Sequence, residues 1–266
     1  MHNKVLTGFL VFFCFVSNVF CGEPDKELEL KCLRPTVKVM NERGGGTGTI
    51  IKSYKISDKQ YLNAVLTCHH VTQNMDTALI ATIGYKDFSI IDPDSSQVYP
   101  AYVYLEDPHA DMAIVLFTSE TPMPVAELGF KEKIYISNDI VSFGCALREY
   151  PRFDWGKITG IYNNIYRTQL NAIPGDSGGG VYHSYKLIAI KMAYSCTNTG
   201  DGSVLHLINV SRCVSINNLI LWAASDSRVK ESYDEKTEMS ELSFNMASGA
   251  QFNEPISLID FFLQQH

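Results

Sequence analysis

The sequence predicts an all-β protein whose strands fall into two halves of similar length, and three observations carry that prediction. From about Leu30 onward, short runs rich in β-branched and aromatic residues, such as TGTIIKSYKI, YLNAVLT, MAIVLF and KLIAIKMAY, alternate with turn residues. Only SINNLILWAAS (215–225) and PISLIDFFLQQ near the end carry a helical pattern. The stretch TSETPMPVAE (118–127) places Pro122 and Pro124 where a strand cannot continue, and so marks a seam between the halves. Many short strands at this spacing suit a sandwich or a barrel and do not suit βαβ units.

The elements follow in order. Residues 1–21 pair Lys4 with an apolar run from Val5 that is too short and too polar at Ser17 and Asn18 for a membrane span; the segment reads as a secretory signal, with a membrane anchor as its alternative. Residues 22–122 form the first β-rich half and residues 123–225 the second. Residues 226–266 turn polar and acidic and end on an amphipathic segment, which reads as a flexible tail.

Composition narrows the function. The chain has 266 residues, 45% of them hydrophobic, which is enough to bury a core without help. It carries 29 acidic against 22 basic residues, for a formal net charge of -7, and has no dense basic block, so nucleic acid is not an expected partner. No stable membrane insertion is expected once the signal is removed. Cys32, Cys68, Cys145, Cys196 and Cys213 remain beyond the signal segment, an odd set whose pairing the sequence does not define.

The segment PGDSGGGVY, Pro174 to Tyr182, sets one hydroxyl and one carboxyl among glycines. A plain turn needs one or two glycines and neither polar group, so the cluster reads as a nucleophile held where bare amides can approach a substrate oxygen. A serine nucleophile requires a base and a group to orient that base. VLTCHHV supplies His69 and His70 at the end of an apolar run, where strand alternation lets only one of them face a shared site. EDPHADMAIVLF supplies Asp107 and Asp111, the latter directly before a strand that reads as buried.

Together VLTCHHV, HADMAIVLF and PGDSGGGVY resemble the three catalytic segments of chymotrypsin-like serine peptidases, and GGGTGTIIKS, GKITGIY and LIAIKMAYS resemble strands of the compact bacterial and HtrA/DegP-like branch. The likeness runs from about residue 38 to 224. It implies two antiparallel six-stranded β-barrels of the chymotrypsin type, here followed by a short C-terminal helix and tail, with the site in the cleft between the barrels. It implies Ser177 as nucleophile, His70 as base and Asp111 as its orienting acid, with Asp107 a turn residue and His69 at a variable position. It implies an oxyanion hole in Gly175-Asp176-Ser177, whose donors are the amides of Gly175 and Ser177.

The resemblance also implies a substrate pocket from Asn171, Met192, Ala193, Tyr194 and His206. Asn171 stands where trypsins carry an acid, so no strong preference for Arg or Lys is expected, and Tyr194 replaces a usual glycine and narrows the pocket. No Ile-Val-Gly-Gly activation sequence precedes His70, so Asp176 is expected to find an internal donor. The stretch after Ser225 is too short for the PDZ domain of HtrA proteins. The function expected is a secreted or periplasmic serine endopeptidase acting on protein or peptide substrates, without cofactor or metal and with its oligomeric state open.

Three other readings compete. Gly-x-Ser-x-Gly also occurs at the nucleophile elbow of α/β-hydrolases, but there a helix follows the serine and the acid and histidine come after it. A peptidase-fold binding module is the non-enzyme alternative. A metal site at Cys68, His69 and His70 lacks a spaced partner set, and His183 reads as a structural histidine.

Overall fold

The computed structural model describes residues 26–40, 44–73, 77–82, 85–87, 90–91, 96–198, 204–219, 229–234 and 239–244. The expected signal segment, the end of the expected helical stretch after Leu219 and the expected terminal amphipathic segment lie outside them.

Strands β1 (Thr36–Met40), β2 (Gly45–Ser57), β3 (Gln60–Thr67), β4 (Thr77–Ala81), β7 (Val98–Asp107) and β8 (Met112–Ser119) close a barrel in the order β1-β2-β3-β8-β7-β4. Between β4 and β7, β5 (Tyr85–Asp87) and β6 (Ile90–Ile91) pair as a small separate ribbon. A second closed barrel, β10-β11-β14-β13-β12-β9, is built from β9 (Asp139–Gly144), β10 (Arg152–Tyr162), β11 (Ile165–Thr168), β12 (Gly180–His183), β13 (Lys186–Asn198) and β14 (Val204–Ser215). The strand pairings within both barrels are antiparallel, and closure leaves neither sheet with a free edge. The all-β, two-barrel expectation is therefore met.

Local sequence explains the hairpins. Asn163 and Asn164 join β10 to β11 with φ of 47° and 64°, the paired left-handed residues of a type I′ turn, whose twist matches that of the strands. Ser184 and Tyr185 join β12 to β13 in the same way, with φ of 50° and 63°. In the segment expected to be a polar tail, β15 (Val229–Asp234) and β16 (Met239–Phe244) pair as a hairpin, so part of that stretch is ordered into strands.

The seam is not a loose linker. Between β8 and β9 the chain is pinned to the first barrel by Ala126 N–H to Ile50 O (2.9 Å) and Met123 N–H to Ser53 Oγ (3.0 Å), and to the second by Leu187 N–H to Glu127 O (2.7 Å). A helical turn, α1 (Lys26–Leu28), runs into a π-helical turn over Glu29–Leu33 that buries Leu28, Cys32 and Leu33 in the core containing Val37, Ile50 and Leu187. That core continues from the first barrel to Phe143 and Tyr182 of the second, so apolar burial joins the barrels directly.

Glycines allow the closest approach between them. A Cβ on Gly178 (φ +86°) would lie 2.0 Å from Thr47 O and 2.3 Å from Thr67 Oγ1. We expect Gly178→Ala to lower unfolding free energy by more than about 2 kcal/mol in denaturant titrations, from left-handed strain plus overpacking. Gly44→Ala, at a position with nothing within 4 Å, should leave stability close to wild type.

Cys68, Cys145 and Cys213 are buried free thiols, and Cys32 is buried as well. Burial pushes the Cys145 thiol up from 9.0 to about 12 and raises those of Cys68 and Cys213. The folded state therefore holds protons that the unfolded chain releases from about pH 9. The resulting stabilisation is complete below that pH and is lost as pH rises toward about 12. Urea midpoints measured between pH 8 and 11 should fall with pH.

Candidate active site

The strand β3 ends at Thr67, and the chain turns through Cys68 into the single helical turn α2 (His69–Thr72). The two histidines therefore separate by helical rotation and not by strand alternation, because the β3 ladder stops at Thr67, three residues before His70. His69 Nδ1 lies 3.3 Å from Glu106 Oε1 on β7, an oxygen that also accepts from Thr72 Oγ1 at 2.7 Å. His70 faces Asp111, with Nδ1 2.8 Å from Oδ2 and 3.0 Å from Oδ1. The His70 backbone N–H also donates to Asp111 Oδ1 at 2.9 Å, so the carboxylate holds both ring and main chain. A carboxylate at Nδ1 selects the Nδ1–H tautomer and leaves Nε2 as an acceptor.

Asp111 directly precedes β8 with φ of 52°, a left-handed conformation that aspartate tolerates better than most residues. Asp107 accepts from His109 N–H (2.9 Å) and Ala110 N–H (3.1 Å), the Asx-type turn that delivers Asp111 to its place. His183 Nδ1 lies 2.8 Å from the Asp139 carbonyl, on a strand away from these groups.

Ser177 arrives on a loop strapped to the first barrel. Its carbonyl accepts from Thr47 N–H at 2.8 Å, and Thr47 Oγ1 donates to Gly175 O at 2.7 Å while accepting from Cys145 N–H at 2.7 Å. Gly46 stands between the His70 and Ser177 segments: a Cβ there would lie 2.7 Å from Val71 Cγ2, next to His70, and 2.8 Å from Ser177 O. Lys191 O accepts both from Gly178 N–H (2.8 Å) and from the Cys68 thiol (3.2 Å), which ties the residue after Ser177 to the residue before the histidines.

The chain before Ser177 makes a type II turn. Asp176 N–H donates to Ile173 O at 2.9 Å, Pro174 takes the second position, and Gly175 takes the third with φ of +100°. Leu147 N–H donates to Pro174 O at 2.7 Å. The N–H of a trans peptide points opposite to its C=O, so that bond aims the Gly175 N–H away from Leu147. Among the described residues, the amides of Gly175 and Ser177 donate to no protein acceptor.

Asp176 does not face the cleft with its amide neighbours. Its carboxylate is 1% exposed, and Oδ2 meets Arg152 Nη2 at 2.5 Å, Lys191 Nζ at 3.4 Å and the Ile173 N–H at 3.1 Å. A carboxylate this buried needs such partners. Sequence reasoning missed Arg152, Lys191, Thr47 and Leu147. The available signal was Lys191, a charge in the otherwise apolar run LIAIKMAY, since a buried-strand charge must be paired.

Of the expected pocket residues, Asn171 accepts from Lys191 Nζ at 2.9 Å through its carbonyl, and its N–H donates to Asp154 Oδ2. Met192 and Ala193 are half-buried on β13. Tyr194 and His206 belong to β13 and β14, and their side chains lie outside the description. One ligand-type atom from each of Cys68, His70 and Asp111 lies within 4.8 Å of the others, in place of the Cys68, His69 and His70 set. His70 and Asp111 already bond each other, and Cys68 is a protonated thiol beside them.

A family model described as a trypsin-like peptidase domain matches residues 46–190, more than half of the chain. Do-like 14 of Arabidopsis thaliana, named as a protease, is 29% identical over 102 residues, which span 38% of this chain and 21% of the plant protein. The crystal structure of a serine endoprotease from Yersinia pestis superposes with a TM-score of 0.59 at 18% identity, covering 83% of this chain and 74% of that one. The architecture of two closed β-barrels agrees with that likeness and leaves no strand-to-helix elbow for an α/β-hydrolase at Ser177. Barrel topology and sequence match converge: this chain belongs to the trypsin-like peptidase family.

Proposed function

We propose that the chain is an exported serine endopeptidase in which Ser177 attacks the scissile carbonyl, His70 relays its proton to the leaving amine and Asp111 orients the imidazole. The observation that carries this reading is the His70–Asp111 pair, held at 2.8 Å and packed through Val71 and Gly46 against the Ser177 loop. In the first step the Ser177 proton passes to His70 Nε2 as Oγ bonds to the carbonyl carbon. Collapse of the tetrahedral intermediate then transfers that proton to the amine and leaves an acyl-enzyme for water to hydrolyse. The unpartnered amides of Gly175 and Ser177 serve as oxyanion donors, each worth about 2.7–4 kcal/mol in the transition state.

The two barrels act as the halves of the site, residues 22–122 bringing base and acid and residues 123–225 the nucleophile. Export rests on the pattern of the first 21 residues; among the described residues, no helix is long and apolar enough to cross a membrane. Substrates are proteins or peptides. No strong preference for an Arg or Lys side chain before the scissile bond is part of this reading, because Asn171 stands where trypsins carry an acid and its carbonyl already accepts from Lys191 Nζ.

Labelling of the full chain with a fluorophosphonate tests the reading. We expect stoichiometric modification at Ser177, abolished in Ser177→Ala and His70→Ala, with Asp111→Asn lowering kcat on fluorescent casein by about 10⁴. Absence of labelling in a folded wild type favours the binding-module alternative.

A further inference from the structure

We infer that Arg152 and Lys191 are positioning residues that organise the oxyanion loop from within the second barrel, so that activity requires no liberated N-terminus. The inference rests on the reading of Ser177 as the nucleophile. Strand β10 contributes Arg152 at its first residue and β13 contributes Lys191, and both cations converge on Asp176 Oδ2 at 2.5 and 3.4 Å. The same oxygen accepts the Ile173 N–H at 3.1 Å, where the type II turn begins, and the Asp176 N–H closes that turn on Ile173 O at 2.9 Å. One carboxylate therefore fixes the residue that opens the turn and the residue that precedes Ser177.

Space for the arrangement is built in. Gly144, paired with Arg152 in the β9–β10 ladder, leaves room that a Cβ would fill at 2.5 Å from Asp176 Oδ1. Lys191 is 2% exposed and reaches the Asn171 carbonyl as well, so its side chain spans the loop from Asn171 to Asp176. Both cations and the Ile173 N–H meet Oδ2, while Oδ1 is buried without a hydrogen-bond partner among the described residues; the single negative charge is already matched by two internal cations.

The test uses the full chain with its N-terminus free or acetylated, an Arg152→Gln/Lys191→Met double variant and the charge-keeping Lys191→Arg. Two quantities are read: the rate of fluorophosphonate labelling and hydrogen exchange of the amides in residues 173–180. We expect acetylation to change neither, and the double variant to label at least about tenfold more slowly, as befits a disturbed oxyanion donor, with faster exchange in that segment. Lys191→Arg should retain wild-type exchange and most of the labelling rate, which separates the need for charge from a need for that side chain's packing alone. Loss of labelling on acetylation, or unchanged exchange in the double variant, overturns the proposal whether or not Ser177 reacts. A wild type with a protected loop that fails to label overturns the reading of Ser177 instead.

Discussion

The proposed site depends on the straps between two separately closed barrels, and Thr47 carries three of their hydrogen bonds. Acid and base sit on the first barrel, where β3, β8 and α2 fix them, while Ser177 sits on a loop of the second. Neither barrel's own hydrogen-bond ladder determines how the two align. Thr47 supplies that alignment through its N–H to Ser177 O, its hydroxyl to Gly175 O, and its acceptance of Cys145 N–H. The residue is fully buried, so each of these bonds, if broken, leaves a desolvated group at a cost of about 1–3 kcal/mol. The placement of the Ser177 loop against the His70 barrel is thereby protected by the penalty for leaving buried polar groups unmet.

The glycines around Ser177 divide into two kinds of work. Gly175 supplies the positive φ of a type II turn, in which the Pro174 carbonyl is drawn to Leu147 and the opposing amide is released. Gly178 and Gly179 instead supply proximity: side chains there would strike Thr47 O at 2.0 Å and Phe143 O at 2.2 Å. Gly46 does the same from the opposing strand. Bare backbone near the hydroxyl therefore serves barrel docking as much as it serves the approach of a substrate oxygen.

Much of this was legible in the sequence. Strand-rich runs, the Pro122–Pro124 seam and the order of His, Asp and Ser segments all have local causes, namely side-chain alternation, missing N–H donors and glycine freedom. The strands β1 and β7 were not read, because β1 is only five residues long behind Arg34-Pro35 and β7 carries Pro100 in its interior. The helical turn at His69–His70 was read as strand, since nothing in the apolar run VLT announces where the ladder stops. Arg152 was invisible because its partner Asp176 is 24 residues away and the pairing depends on the β9–β10 register. Long-range polar pairs are decided by topology, which local pattern does not encode.

Lys191 joins two properties that are often treated as independent. Its ammonium touches Asp176, which organises the loop leading to Ser177, and the Asn171 carbonyl, which lies on the expected floor of the substrate pocket. Removing the charge to admit a cationic substrate side chain would leave Asp176 leaning on Arg152 alone, and Arg152 is 32% exposed and so better solvated and a weaker electrostatic partner. The Asn171 and Asp176 ends of the loop are thus coupled through one side chain. The surroundings of Asn171 are not purely cationic, because Asp154 Oδ2 accepts the Asn171 N–H beside the carbonyl that Lys191 holds, so carboxylates and ammonium alternate along this stretch of loop.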